Sequence, residues 1–298
     1  MTTPLIAVTG ASGQLGQTLA RLWDESPLAD FQFVALARTQ LNIADADMVT
    51  AVLAELHPAV IVNAAAYTQV DKAESDSDSA YLNNEAGTAA LAHWAVEHGA
   101  RILHISTDFV FGGSSTTPYL PDAQTNPLGV YGASKLAAEE ALQAITQQGS
   151  TIIRTSWLYS EYGNNFVKTM LRLMQARDTL SVVDDQLGSP TSTHSLAKLI
   201  FAMIPKEDTS GVYHWTDGGS ISWFEFAQEI QSQALQAGLL SKAIPISPIA
   251  TSEYPTAARR PAYSVLDRSR AQADFECPSQ DWKEQLAEVI DELKATDK

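Results

Sequence analysis

A tyrosine and a lysine stand four residues apart in the stretch YGASK, residues 131–135. If this stretch is helical, Tyr131 and Lys135 lie on one face and reach the same cleft. A free phenol has a pKa of about 10, and a neighbouring ammonium favours the ionised form and lowers that pKa. Tyr131 would then serve as a general acid toward a carbonyl oxygen, or as a general base toward an alcohol. Since chance alone supplies roughly 0.3 such pairs in a chain of this composition, the surrounding sequence has to decide the interpretation.

Thr107 is a third candidate for the same chemistry. The apolar run RILHIS predicts a strand over residues 101–106, which Thr107 follows directly. Ligands of open α/β sheets bind at the carboxyl ends of the strands, where Thr107 can donate a hydrogen bond to a developing alkoxide. Another strand, predicted over residues 59–63, ends at the same edge, and we expect three residues after it to lie beside a cofactor: Ala64, Ala65 and Ala66.

The first turn between a strand and a helix is rich in glycine. Its pattern is G-x-x-G-x-x-G, formed by Gly10, Gly13 and Gly16, and differs from the usual dinucleotide fingerprint G-x-G-x-x-G. The physical requirement is the same, because glycines let the backbone turn tightly and approach a pyrophosphate, while the N–H groups at the helix start bind the anion. The turn therefore predicts a dinucleotide site that also includes Gln14 and Leu15.

The second predicted strand suggests which nicotinamide cofactor binds. A carboxylate at its end would favour NAD by accepting from the ribose 2′-hydroxyl. This strand instead ends in Leu-Ala-Arg-Thr, with Arg38 in place of an acid. Since a guanidinium suits a 2′-phosphate, we predict NADPH, with NADH still possible.

The elements that would position these residues alternate along the chain. Apolar runs predict strands over residues 5–8, 33–37, 59–63, 101–106 and 151–156, and amphipathic patterns predict helices over residues 14–22, 47–56, 80–98 and 134–145. Strands that are apolar throughout are typical of a parallel sheet covered on both faces. The predicted fold class is thus α/β, a Rossmann-type doubly wound parallel sheet.

The alternation fades after about residue 160. Two further helices are predicted over residues 165–175 and 223–236, among loops rich in Pro, Gly and Ser. We therefore expect an NAD(P)-binding domain over residues 1–160 and a smaller, discontinuous substrate-binding lobe over residues 161–298. A strand at 211–216 is expected to return to the main sheet.

Composition narrows the class of protein. A hydrophobic fraction of 45% and a charged fraction of 18% are typical of a globular chain. The net charge of −16 disfavours nucleic-acid binding, and the sequence shows neither a signal peptide nor an apolar run long enough for a membrane span. One cysteine, Cys277, fits a reducing compartment, so a cytoplasmic protein is predicted. No spacing predicts a metal site, and an acidic cluster at residues 71–78 is interpreted as a solvated helix start.

The ordered motifs TGASGQLG, NAAAYT, ISTDFVF and YGASK resemble the extended short-chain dehydrogenase/reductase family. Longer stretches, among them VNAAAYTQVDKAES, LGVYGASKLAAEE, GNNFVKTMLRL and YPTAARRPAYSVLD, are similar to the dTDP-4-dehydrorhamnose reductases within it, over about residues 4–290. The resemblance implies reduction of the C4 ketone of a dTDP-4-dehydro-6-deoxy-L-hexose by NAD(P)H. It also implies a dTDP-sugar as the partner, with a monomer or a homodimer as the expected assembly.

The resemblance implies a role for each matching residue. Tyr131 corresponds to the proton donor, Lys135 to the residue that lowers its pKa and holds the nicotinamide ribose, and Thr107 to the group that polarises the substrate carbonyl. The matching cofactor contacts, beyond the glycine turn, are Asn42 and Ile43 near the adenine and Ala66, Tyr67 and Thr68 near the ribose. The expected substrate contacts are Thr107, Asp108, Trp157, Asn165, Arg259 and Arg260.

Several alternatives stay open at this stage. Many relatives carry tyrosine where this chain has Phe109, so a contact to the sugar is lost or replaced if that hydroxyl makes one. A nucleotide-sugar epimerase or dehydratase would use the same scaffold, although a dehydratase is expected to have Glu where Phe109 stands. The third alternative is a non-catalytic NADP-binding regulatory protein that resembles the methionine adenosyltransferase β subunit. The exact sugar and the need for an epimerase partner are also open.

Overall fold

Short strands and helices alternate along the first part of the chain, in the computed structural model that describes residues 3–147, 149–278 and 280–296. The strands are β1 (Leu5–Thr9), β2 (Gln32–Leu36), β3 (Val60–Asn63), β4 (Arg101–Thr107), β5 (Thr151–Thr155), β6 (Leu158–Tyr159), β7 (Leu180–Val183), β8 (Leu187–Gly188), β9 (Thr191–Ser192), β10 (Gly211–His214), β11 (Ile221–Ser222) and β12 (Ile246–Ile249). The helices are α1 (Gln14–Leu22), α2 (Ala46–Leu56), α3 (Val70–Ala73), α4 (Ser77–Tyr81), α5 (Gly87–His98), α6 (Val130–Ile145), α7 (Phe166–Ala176), α8 (Thr193–Met203), α9 (Trp223–Ala237), α10 (Ser269–Phe275) and α11 (Trp282–Thr296).

The main sheet has six strands in the order β10-β5-β4-β3-β1-β2, and every pairing in it is parallel. The predicted α/β class with a parallel sheet is confirmed. The chain runs from β1 outward to β2 and then returns to β3 on the other side of β1. The strand order therefore reverses at β1 and β3, and a doubly wound sheet binds its ligand in the crevice at such a point.

Helices cover both faces of this sheet. On one face α1, α8 and α10 pack over β1, β3 and β4, and on the other α2, α5 and α6 form a second core. Helix α8 was not predicted. Nine of its eleven residues are buried, so it has almost no exposed polar face to mark a helical period.

A third core lies among the C-terminal elements. Strands β7 and β12 pair in parallel, and α7, α9 and α11 pack against them. We call these five elements the C-terminal layer. Helix α9 begins with a capping box in which Ser222 and Glu225 satisfy each other's backbone N–H groups. The division of the chain at residue 160 stays a prediction; β10, from beyond that point, pairs with β5.

The helix predicted over residues 80–98 is made of three pieces. Helix α4 passes through a π-helical turn at Leu82–Ala86 into α5. Helix α6 begins at Val130, four residues before its predicted start at Ser134. Within the described residues, no helix combines the length and the apolar composition that a bilayer crossing needs.

Candidate active site

The glycine turn after β1 is pressed against the loop after β3. Gly10 has φ +74°, and a Cβ there would lie 2.8 Å from the carbonyl oxygen of Ala64. A Cβ on Gly16 would lie 2.3 Å from the carbonyl oxygen of Gly10. Both positions therefore need glycine, for conformation in one case and for space in both.

The start of α1 can hold an anion. Its N-cap is Gly13, which has no side chain to accept from the first-turn N–H groups. Uncapped N–H groups at a helix start, beside a backbone free of side chains, suit a pyrophosphate. The turn thus fits the diphosphate of a dinucleotide, as the sequence predicts.

Arg38, Asn42 and Ile43 follow β2 at the same end of the sheet. Arg38 is exposed. Ile43 is buried and packs against Gly87. A Cβ on Gly87 would lie 2.8 Å from Cγ1 of Ile43. The side chain of Asn42 accepts weakly from the N–H of Ala44, at 3.4 Å.

The loop after β3 is tied to α6 through a residue that sequence reasoning missed. Asn84, in the π-helical turn, accepts from the N–H of Tyr67 at 2.8 Å and donates to its carbonyl oxygen at 3.2 Å. It also donates to the hydroxyl of Ser134 in α6, at 2.9 Å. The π turn is the structural signal of such a site, and it leaves no mark in the apolar pattern.

The start of α6 is fixed by two contacts from distant parts of the chain. The N–H of Val130 donates to Glu74 at 2.8 Å. A Cβ on Gly132 would lie 2.2 Å from the carbonyl oxygen of Phe109, so glycine lets the helix approach the loop after β4. This approach brings Tyr131 to Thr107. Glu74 belongs to the acidic cluster that was interpreted as a solvated helix start; it is exposed, and it also accepts this hydrogen bond.

Thr107 and Tyr131 meet at the carboxyl end of β4. Their side chains are hydrogen-bonded, and this bond lowers the pKa of the phenol, but burial has the larger effect and raises it to about 12. The negative charge of Asp108 raises it further. The Tyr131 hydroxyl is thus firmly protonated at neutral pH.

Lys135 is on the same helix face but makes different contacts from those expected. It is 1% exposed, and its Nζ donates to the carbonyl oxygen of Ile105 at 2.8 Å and lies 2.9 Å from His104 Nε2. Burial lowers the pKa of Lys135 to about 7, against the opposing effect of Glu139. The prediction that Lys135 lowers the pKa of Tyr131 is therefore wrong. Burial has the largest effect on the phenol and raises its pKa, and the Lys135 side chain is held by Ile105 and His104 of β4.

A cavity of about 910 Å³ opens beside these residues toward the C-terminal layer. Asp108 and Phe109 line it near the catalytic candidates, and the Phe109 ring meets the edge of Tyr131 at 5.6 Å between centroids. Trp157 lines the other wall and stacks on Trp223 at 3.5 Å. One end of the cavity is thus polar, and one of its walls is aromatic.

Arg260 lines this cavity and is held by an ion pair. Its two terminal nitrogens donate to the two carboxylate oxygens of Asp71 at 2.6 and 2.7 Å. The pair lowers the pKa of Asp71, so this member of the acidic cluster also has a specific partner. Arg259 is exposed and is not among the described residues that line the cavity.

Asn165 and Gln14 contact each other. Asn165 caps α7 by accepting from the N–H of Lys168 at 3.1 Å, and its amide donates to Gln14 Oε1 at 2.8 Å. Both side chains were predicted to contact ligands. The structure shows them joining the start of α1 to the C-terminal layer, and the ligand contacts stay predictions.

Asp108 is buried with one carboxylate oxygen that has no hydrogen-bond partner among the described residues. Burial raises its pKa to about 6, although hydrogen bonds from Ser264 and Thr107 act in the opposite direction. The fold thus favours the acid form of Asp108 more than water does, and the carboxyl ionises above about pH 6.

The pH dependence of stability follows from this shift. A carboxyl whose folded pKa is raised contributes stability below its unfolded pKa of about 4, and this is lost as pH rises through about 6. We expect Asp108→Asn to gain stability over the unmodified chain between pH 4 and 7, by roughly 2–3 kcal/mol at the plateau. Urea unfolding across this range measures the difference, with Asp30→Asn in an exposed loop as the control. If the stability difference between Asp108→Asn and the unmodified chain stayed constant or fell as the pH rose, the raised pKa of Asp108 would be contradicted.

The fold and the site define a Rossmann-type dinucleotide-binding protein with a reductase-like Thr/Tyr/Lys set. The chain belongs to the family described as the RmlD substrate binding domain, whose model matches residues 4–295.

Named relatives span nearly the whole chain. A dTDP-4-dehydrorhamnose reductase of Aggregatibacter actinomycetemcomitans is 40% identical over 289 residues, covering 95% of this chain and 97% of the relative. A spore coat polysaccharide biosynthesis protein of Bacillus subtilis is 40% identical over 288 residues, covering 96% and 97%. The crystal structure of dTDP-4-dehydrorhamnose reductase from Bacillus anthracis in complex with NADP superposes with a TM-score of 0.90, at 36% identity, over 98% of this chain and all of that one.

Proposed function

We propose that the chain reduces the C4 ketone of dTDP-4-dehydro-6-deoxy-L-mannose to dTDP-L-rhamnose with NADPH. The observation that carries this proposal is the pair of Thr107 and Tyr131, which lies one helical turn from Lys135 and beside Asp108 and Phe109, two residues that line the cavity. The names of the full-length relatives support the substrate, and the NADP complex of the Bacillus anthracis reductase supports the cofactor.

The protein's own residues perform the proton chemistry. Thr107 hydrogen-bonds the C4 oxygen and holds the ketone against Tyr131. Tyr131 gives its proton to that oxygen as negative charge develops there. The transfer is favourable because an aliphatic alcohol is a weaker acid than this phenol. Lys135 Nζ is held by His104 and the carbonyl oxygen of Ile105, and its proposed part is to bind the nicotinamide ribose.

The cofactor would be held at the crevice between β1 and β3. Gly10, Gly13 and Gly16 expose the backbone to the diphosphate, and Arg38 would pair with the 2′-phosphate. NADPH, when bound there, supplies the hydride that the ketone carbon receives.

The cavity would hold the nucleotide-sugar. Arg260 provides a cation for the diphosphate, and the stacked Trp157 and Trp223 offer a flat apolar wall. Phe109 brings a ring rather than an acid to the reacting end, which favours reduction over a dehydratase reaction. We further propose that the protein acts in the cytoplasm as a monomer or a homodimer.

Cofactor preference provides a test of Arg38. Arg38→Ala is expected to lower kcat/KM with NADPH by about tenfold, because a hydrogen-bonded charge partner is lost, and to leave the value with NADH nearly unchanged. Steady-state kinetics with both cofactors measure the ratio. Arg172→Ala, an exposed arginine on α7, is the control. An unchanged ratio would remove Arg38 from the cofactor site.

The proposed activity is tested by following nicotinamide absorbance with the purified chain, NADPH and the dTDP-4-keto sugar, and by identifying the product chromatographically. Formation of dTDP-L-rhamnose in step with NADPH oxidation is expected. NADPH binding without any turnover would overturn the reductase assignment and favour a regulatory protein.

A further inference from the structure

Lys135 is the last member of a buried series of polar side chains that begins beside the glycine turn. Thr9, the last residue of β1, donates to Asn63 Oδ1 at 2.7 Å, and Asn63 Nδ2 lies 3.0 Å from His104 Nδ1. The opposite ring nitrogen, Nε2, lies 2.9 Å from Lys135 Nζ. All four side chains are buried, so each of these polar contacts forms away from water and is costly to lose.

We propose that His104 is a positioning residue for Lys135, which it holds through Nε2 while Asn63 orients the ring through Nδ1. Because Lys135 is expected to contact the nicotinamide ribose, His104 would act on cofactor binding and turnover without touching either ligand. The kinetic part of this inference rests on the proposed reductase function.

The protonation states fit this role. Burial, followed by the charge of Lys135, holds the pKa of His104 well below its usual 6.5, so the ring is neutral. A neutral imidazole has one donor and one acceptor nitrogen. With Nε2 as the acceptor, the ring binds the ammonium, and the Nδ1–H has to donate to the amide oxygen of Asn63. This requires the Asn63 amide to be flipped, so that its oxygen faces His104 and its nitrogen donates to Thr9.

The charged and titratable groups around Lys135 are few among the described residues. His104 faces it from β4, and Tyr131 and Glu139 lie one helical turn before and after it on α6. Glu139 raises the pKa of Lys135 and is itself paired with Arg154 of β5. Removal of the imidazole acceptor would take away one of the contacts that favour the ammonium, and the pKa of Lys135 would fall further.

Two substitutions test the two nitrogen atoms of the imidazole separately. The amide of glutamine comes close to the position of Nε2, and that of asparagine to the position of Nδ1. His104→Gln therefore keeps a partner for Lys135, whereas His104→Asn keeps only the partner for Asn63. Both replacements are polar and no larger than histidine, so we expect the two variants to have similar stability. Thermal unfolding measures this.

The test measures NADPH affinity by fluorescence and the pH profile of kcat/KM, which reports on groups of the free enzyme. We expect His104→Asn to weaken NADPH binding about fivefold, the loss of one buried hydrogen bond, and to move the alkaline limb to lower pH. His104→Gln should stay within about twofold of the unmodified chain. In a Lys135→Met background, His104→Asn should have no additional effect on affinity.

Equal defects in the two variants, or an additive loss in the Lys135→Met background, would overturn the positioning role and leave His104 as a packing residue. The affinity measurements need no turnover. They therefore remain decisive for His104 even if the reductase assay fails, and a failed assay with coupled affinities would count against the proposed reaction alone.

Discussion

Replacement of Tyr131 by phenylalanine is expected to lower kcat by about 10²–10⁴-fold, the usual contribution of a positioned general acid. The substitution removes only the hydroxyl that is hydrogen-bonded to Thr107. NADPH affinity should change little, because the ring and its edge contact with Phe109 remain. Single-turnover and steady-state assays with the dTDP-4-keto sugar, beside a fluorescence titration of NADPH, measure the two quantities separately.

Tyr159→Phe is the matched control for this variant. Tyr159 is also buried, and its hydroxyl has no hydrogen-bond partner among the described residues. Loss of that hydroxyl should leave both kcat and NADPH affinity unchanged. If Tyr131→Phe kept more than about a tenth of the activity, general acid catalysis by this residue, which accounts for at least 10², would be refuted.

Glu139→Gln is expected to produce the largest loss of stability. Glu139 and Arg154 are both buried, and the guanidinium meets the carboxylate at 2.6 Å through Nη2 and at 3.0 Å through Nε. The hydroxyl of Ser106 donates to the same carboxylate. Neutralising Glu139 leaves the Arg154 charge buried without its counterion, which costs about 3–5 kcal/mol. Urea unfolding at neutral pH measures this free energy.

The control for Glu139→Gln is an exposed ion pair. Lys242 and Asp178 approach to 3.0 Å, but both side chains are largely in solvent. Asp178→Asn should leave the unfolding midpoint almost unchanged, because exposed pairs contribute little. Equal losses in the two variants would show that burial does not set the strength of the Glu139–Arg154 pair.

Local patterns in the sequence predict those features that depend on neighbouring residues. The YxxxK spacing places Tyr131 and Lys135 on one helix face, and the apolar run before Thr107 predicts its place at a strand end. Both follow from periodicities that a short stretch contains. The glycine turn is predictable for the same reason, since Gly10 needs a positive φ directly after a strand.

The remaining features depend on pairs that are far apart in the sequence. His104 and Lys135 are 31 positions apart, and Val130 and Glu74 are 56 positions apart. No local periodicity records such contacts, so the true start of α6 and the partners of Lys135 were not predicted. The pKa of Tyr131 was expected to fall for a similar reason, because burial of the phenol depends on the packing of α6 against the loop after β4.

The central claim is that hydride reaches C4 of the sugar in the cavity beside Tyr131. The most direct measurement uses NADPH carrying deuterium on one face of the nicotinamide C4, with each epimer tested in turn, and locates the label in the product by NMR. The account predicts deuterium at C4 of dTDP-L-rhamnose from one epimer only. Label at another carbon, or a product without label from either epimer, would contradict it.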